Sequence, residues 1–381
     1  MAELRGKLAW LTRQKGQLED LLHRFEALLE TPATEANNVN RGNIAIISDV
    51  EKAFLQVHLQ TCDRDATRCL WVHDITKPLI TENTVTYRFT RVTFGLNCSP
   101  FLLGATIAEH LEHTEDRKMA ALIKNNIYVD NLVITASSVE EAVQRCEKAR
   151  RIFAEIGMNL REFRTNAKEV NDRLPSDKLS GSTTPKVLGL KWNSEKDTID
   201  LECHYPDKTV VTKRTVSEQV AAVYDPLGWL TPLTVRAKIF LQSLWKHKYK
   251  WDQCLTSDHK NQWKHILSQI QGYTKHIPRK ASDGEMTSPA RLVAFADASK
   301  QAMAACVYLV HKGRSELLIA KSKLPSMKND PTIPKLEMNA LTMATRLVRV
   351  TAQALQHQLH IQSVIVYSDS EVAMYNYDPT G

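Results

Sequence analysis

The chain has 381 residues, 43% of them hydrophobic, with seven cysteines and a formal net charge of +7. That is enough for two or three cored domains, and no apolar run approaches the roughly 20 residues that cross a bilayer. The cysteines are scattered without a Cys-x-x-Cys pair, so neither a zinc site nor a disulfide framework is supported, and a reduced intracellular setting fits best. The amino terminus is polar and charged, unlike a signal peptide. The basic excess is local: from Asp207 to Lys280 there are 13 Lys/Arg against 5 Asp/Glu, interleaved with Trp245, Tyr249, Trp251, Trp263 and Tyr273. This segment reads either as a surface for a nucleic-acid backbone and its bases or as amphipathic helices with solvated lysines and a tryptophan core.

In chain order, Leu4, Leu8, Leu11, Lys15, Leu18, Leu22, Phe25 and Leu29 alternate spacings of four and three. They predict an amphipathic or coiled-coil helix within 1–36, able to self-associate through residues 4–29. A linker follows to Gly42. From residue 43 the pattern turns mixed. Ile44–Val50 is a buried-type strand ending in Asp49, and Cys69–Val72 and Val85–Val92 are further strands. Ser99–His110 is a helix with a Ser cap and Pro at its first position. Ile127–Thr135 is a hairpin whose turn carries Tyr128-Val129-Asp130-Asn131, and Ser138–Ile156 is a long helix closed by Gly157. This order predicts an α+β fold with a mainly antiparallel sheet.

Val187–Trp192 and Thr198–Cys203 form a strand pair. Residues 215–275 are helical, interrupted at Asp225-Pro226-Leu227-Gly228 and at Pro232. After a linker over 280–289, Leu292–Asp297, Met303–Val310 and Leu317–Ser322 are strands. Lys335–Leu355 is a helix with Glu337 in its first turn, and Val364–Asp369 is a last strand ending in an acid.

Two acidic sites follow. Strands that each deliver an Asp at one end can hold hard divalent cations on oxygen ligands, as two-metal phosphoryl transfer requires. Asp49 and Asp130 are one such set; Asp297, Glu337 and Asp369, from strand, helix and strand, are the other. The sequence has no Asp-Thr-Gly or Asp-Ser-Gly of an aspartic protease, no Gly-x-Ser-x-Gly elbow, no phosphate-binding glycine loop and no His-Glu-x-x-His.

Asp49-Val50-Glu51-Lys52-Ala53-Phe54 resembles the first catalytic motif of reverse transcriptases. Phe94-Gly95-Leu96-Asn97-Cys98-Ser99-Pro100 resembles the motif that backs the template, Tyr128-Val129-Asp130-Asn131 the Tyr-x-Asp-Asp hairpin, and Leu188-Gly189 the primer-grip turn. Ile46–Val57 with Asp63–Arg68, and Val223–Pro232 with Arg236-Ala237-Lys238, resemble the BEL/Pao class of long-terminal-repeat retrotransposons. The segments around Asp297, Glu337 and Asp369 resemble three successive motifs of the ribonuclease H fold.

The resemblance runs from about residue 43 to the end. It implies a reverse transcriptase palm with partial fingers over 43–165, a primer-grip hairpin and thumb/connection over 166–285, and a C-terminally truncated ribonuclease H-like α/β domain over 290–381. It implies RNA-directed DNA synthesis with Mg²⁺ or Mn²⁺ on Asp49 and Asp130, with Asn131 in the hairpin's second acidic place. Phe54 would exclude ribonucleotides, and Phe94, Gly95, Tyr128, Leu188 and Gly189 would contact substrate. Asp297, Glu337 and Asp369 would hold metal for cleavage of an RNA–DNA hybrid. Implied partners are an RNA template, a DNA primer, the hybrid and dNTPs, with no membrane, in a cytoplasmic setting.

Three features depart from the family: Asn131 replaces a carboxylate, no fingers segment precedes Asp49, and the fourth ribonuclease H acid is missing. The leading residues resemble a gag polypeptide more than fingers, as in an internally deleted or spliced element. The competing reading is a non-catalytic relic that binds nucleic acid or dimerises.

Overall fold

The computed structural model describes residues 44–281, 288–328, 331–356 and 359–371. The heptad over 4–29, the linker to Gly42 and most of the linker over 280–289 lie outside them. The chain divides into two compact units, one ending at Thr183 and the other starting at Thr184.

The first unit is built on an antiparallel sheet. Its central strand β1 (Ile44–Val50) is followed by a short turn α1 (Ala53–Gln56) and by a separate two-stranded pair, β2 (Arg68–Val72) and β3 (Thr84–Arg88). That pair leaves Leu70, Trp71 and Tyr87 exposed. Helices α2 (Ser99–His113) and α3 (Arg117–Lys124) lead into strands β4 (Ile127–Tyr128) and β5 (Asn131–Ala136), helix α4 (Val139–Glu155), strand β6 (Leu160–Thr165) and helix α5 (Lys168–Arg173). The strand order is β4-β5-β1-β6, every pair antiparallel.

Sitting between two partners explains why β1 is apolar along nearly its whole length: Ile44 through Ser48 and Val50 are all buried. Leu103, Ile107 and Leu111 form one stripe on α2, and Ala142, Cys146, Ala149 and Phe153 one on α4, so both helices contribute to the core under the sheet. Each large side chain so buried contributes about 1.5–3 kcal/mol. The α2 boundary differs from expectation. Cys98 stands at the cap position without a side-chain bond, and the Ser99 hydroxyl instead donates to the Thr93 carbonyl at 2.6 Å. Ser138 does cap α4, accepting from the Glu141 amide.

The second unit starts with a sheet of β7 (Lys186–Val187), β8 (Leu190–Asn193), β9 (Thr198–Glu202) and β10 (Thr274–Pro278), in the order β10-β9-β8-β7. Between β9 and β10 lie helices α6 (Lys213–Ala222), α7 (Thr231–Lys246) and α8 (Ser257–Ile270). Pro232 does not interrupt this region; it sits in the first turn of α7, where no amide hydrogen bond is lost.

The remaining sheet combines β11 (Pro289–Ala298), β12 (Met303–His311), β13 (Arg314–Lys323) and β14 (His360–Ser368), with helix α9 (Ile333–Leu355) between the last two. The strand order is β13-β12-β11-β14, with β11 and β14 parallel. Ala290, Leu292, Ala294 and Ala296 alternate inward on β11 and share a core with Leu336, Ala340, Ala344 and Val348 of α9. The small residues let helix and strand approach closely.

The Asp225–Trp229 loop docks on the edge strand β13. The Ala320 amide donates to the Leu227 carbonyl at 2.8 Å, and the Trp229 indole donates to the Leu318 carbonyl at 3.1 Å. A Cβ on Gly228 would lie 1.8 Å from the Ala320 oxygen, so only glycine permits this approach. The helices α6–α8 and the last sheet are joined through this contact.

Candidate active sites

Asp49 is next to last in β1, directly across from Asn131 on β5 and Arg161 on β6. The β4–β5 turn is the two residues Val129 and Asp130, with Tyr128 and Asn131 the last pair before it. Val129 has φ of 57°, an uncommon conformation for a β-branched residue and of a kind that clusters at functional sites. The Val50 amide donates to the Asp130 carbonyl at 2.8 Å, which ties the turn to the end of β1.

The fold thereby brings Asp49 and Asp130 together. Asp49 is raised to about 6, first by burial and then by the charges of Asp130 and Glu162. Asn131 does not point away: its amide donates to Asp130 Oδ1 at 2.9 Å. Beside this pair, Arg161 lies 3.4 Å from Glu51 and 3.6 Å from Glu162. The hydrogen bond from Asn159 and the Arg161 charge hold the Glu51 carboxyl low. Sequence reasoning missed Arg161 and Glu162, because a cross-strand neighbour is visible only once the register is known.

Phe54 on α1 packs edge-on against Phe94, with ring centroids 5.2 Å apart, so the first motif touches the middle one. Phe94 is exposed and Gly95 takes φ of 87°. Tyr128 is also exposed. Leu188 and Gly189 belong to the second unit, where they form the two-residue turn between β7 and β8, both with positive φ.

The second site is a tighter cluster. Carboxylate oxygens of Asp297, Glu337 and Asp369 lie within 4.8 Å of one another. Asp297 comes from β11, and Asp369 follows β14 directly. Glu337 sits on α9, but not in its first turn: the helix starts at Ile333, so Glu337 is one turn in. There it is buried, and its Oε2 atom has no hydrogen-bond partner among the described residues. Burial first, then the charges of Asp297 and Asp369, push its carboxyl upward. A buried, unpartnered carboxylate oxygen beside two further acids has the donor chemistry of a hard divalent-cation site.

The basic segment is partly internal. Lys213 is buried; it donates to the Tyr249 carbonyl and lies over the Trp245 ring, 3.9 Å from its centroid. Arg279 is fully buried and clamps Asp197 through Nε at 2.6 Å and Nη2 at 2.8 Å. Trp263 is core, stacked on Phe240. These residues do not face a ligand; they hold the helices and the β8–β10 sheet together.

The family model of reverse transcriptase (RNA-dependent DNA polymerase) matches residues 8–192. That of the Pao retrotransposon-like RNaseH-like domain matches residues 212–370. The chain joins a reverse transcriptase region to a Pao retrotransposon RNaseH-like domain. The Pao match takes in α6–α8 as well as the last sheet, the pieces joined by the Gly228 contact. No curated protein matches the chain.

Among solved structures, it is similar to a foamy viral protease-reverse transcriptase in complex with RNA/DNA hybrid. The identity is 15% and the TM-score 0.48, over 89% of this chain and 40% of that one. A second structure, the foamy viral protease-reverse transcriptase dRH in complex with double-stranded DNA, gives 15% and 0.48, over 91% and 53%. The chain thus spans about half of their length or less. No described helix of the reverse transcriptase region or the RNaseH-like domain is long and apolar enough to cross a membrane.

Proposed function

We propose that the first unit carries out RNA- or DNA-templated DNA synthesis and that the RNaseH-like domain cuts the RNA strand of an RNA–DNA hybrid. What carries the polymerase reading is the meeting of Asp49 and Asp130 at one end of the β1–β5 pair, inside a region that matches the reverse transcriptase family. Asp49 and Asp130 would hold Mg²⁺ or Mn²⁺, and Asp297, Glu337 and Asp369 would do so in the other domain. The ions supply a lowered pKa for the attacking hydroxyl or water and neutralise the leaving oxygen.

The chain's own residues do the rest. Asn131 fixes the Asp130 carboxylate through its amide. Phe54, braced by Phe94, walls the sugar side of the incoming nucleotide and excludes a 2′-hydroxyl. Gly95 leaves room for the template, while Leu188 and Gly189 form the turn that grips the primer. The palm covers 43–165, the primer-grip and thumb/connection 166–285, and the ribonuclease H-like domain 290–381, with self-association through 4–29 and a cytoplasmic setting.

Primer extension on a primed RNA template with Mg²⁺ or Mn²⁺, in parallel with Asp130→Ala, tests this reading. Extension lost in Asp130→Ala is the expected result. One observation favours the alternative, a non-catalytic nucleic-acid-binding chain: Asn131 stands where the family motif has a second carboxylate. Tight template–primer binding with no extension under either metal would establish that alternative.

A further inference from the structure

We propose that the first unit carries a phosphate-binding cleft that neither Asp49 nor Asp130 lines, beside the end of β1 where Val50 pairs with Leu160. The cleft lies between the C-terminal half of α4, the start of β6 and Lys178, and encloses about 300 Å³. Arg150, Arg151 and Lys178 line it, against a single acid, Glu147. Met158 and Leu160, both buried, form its apolar floor.

The state of the cations is the telling point. Arg145, five residues before Arg150 on the same helix, is held by Glu141, and Lys148 by Asp116. Arg150 and Arg151 have no carboxylate within ion-pair distance among the described residues, although α4 is rich in acids. Lys178 is mostly shielded, and its ammonium reaches Asn159 Oδ1 at 3.4 Å and Asp177 at 3.2 Å. Two forked guanidiniums without an ion-pair partner among the described residues, with the Lys178 ammonium beside them, line one concave space. Guanidinium groups recognise phosphate bidentately, and an ammonium adds a point charge. The space is at the lower end of small-ligand sites, which suits a chain of two or three phosphates.

The ligand chemistry is therefore phosphate, carried on a free oligophosphate or on a nucleic-acid backbone. This site needs no divalent ion, so it can be tested apart from the polymerase reading.

The test is calorimetric titration of the full chain in EDTA at low salt, with tripolyphosphate in one arm and a short DNA duplex in the other. The proteins are wild type, Arg150→Gln/Arg151→Gln, Glu147→Gln and Asp49→Asn. Expected are one-to-one binding of tripolyphosphate, a loss of about tenfold in the double variant, tighter binding in Glu147→Gln and no change in Asp49→Asn. If duplex binding alone shows this pattern, the phosphates are those of a nucleic-acid backbone. Binding of neither ligand, or binding that ignores both the arginines and Glu147, would overturn the proposal and leave α4 with an ordinary solvated face. The gain expected of Glu147→Gln keeps the test decisive even if the double variant melts early.

Discussion

The Asn131 amide donates a hydrogen bond to Asp130 Oδ1 at 2.9 Å, so the residue that replaces a carboxylate in the hairpin also orders the carboxylate that remains. Asn131→Asp would remove that donor and set two like charges side by side. We expect it to lower the melting temperature in EDTA by the equivalent of about 1 kcal/mol. With Mg²⁺ present the added charge is worth roughly 1–4 kcal/mol near a dication, or about 10- to 1,000-fold in extension rate. Unchanged melting in EDTA would show that the bond contributes nothing.

Asp49 gives a pH dependence with a definite sign. Its carboxyl moves up to about 6 in the folded chain, from about 3.9 when unfolded. The folded state therefore holds this proton more tightly, and its contribution is full below about pH 4 and lost as pH rises through about 6. In EDTA, Asp49→Asn should melt above wild type at about pH 7.5, with the gap closing towards pH 4. A gap that is constant with pH would mean that Asp49 titrates as an ordinary surface acid.

Arg279 separates the two readings of the basic segment. It is fully buried on Asp197, so Arg279→Met removes the cation clamped on that carboxylate and leaves the Trp192 indole on it. The expected cost is about 3–5 kcal/mol in chemical denaturation, with the salt slope of DNA binding unchanged. A fall of about one in that slope would instead make Arg279 a phosphate contact.

Gly228 predicts a steric failure. An alanine Cβ would collide with the Ala320 carbonyl, and its φ of 69° is itself unfavourable for alanine. Gly228→Ala should cost roughly 2–4 kcal/mol, and Trp229→Phe about 1 kcal/mol for the lost bond to Leu318. If hydrogen exchange at β13 were as slow in Gly228→Ala as in wild type, the docked loop would not be what protects that edge.

Glu337 couples stability to cation binding. Ionising its buried carboxyl beside Asp297 and Asp369 is unfavourable, so Glu337→Gln should raise the melting temperature in EDTA at neutral pH. In an Asp49→Asn/Asp130→Asn background, which removes the other proposed cation site, the same variant should lose most of the upward shift that Mn²⁺ gives through binding the folded state. A Mn²⁺ shift retained in full would remove Glu337 from the ligand set.

The sequence alone determined the acids and most of the elements that carry them, but not α3 or the strand β6 that flanks Asp49. Ile44–Val50 could only be a buried strand, the Ser138 cap and Gly157 bounded α4, and motif order made a palm followed by an RNaseH-like domain legible. These are local signals, carried by periodicity, caps and short motifs. Register and close approach were decided by the tertiary structure. Only the strand pairing shows that Asp49 faces Asn131 and Arg161, and only the packed helix shows that Glu337 is one turn in, with an unpartnered oxygen. Composition left the segment with Lys213, Arg279 and Trp263 open between a nucleic-acid surface and helices with a tryptophan core; Trp263 is core, and Lys213 and Arg279 are buried too, because charge counts do not say which way a side chain faces. Gly228 was one glycine in a turn until the backbone of β13 proved to pass against it, a long-range contact that no local pattern encodes.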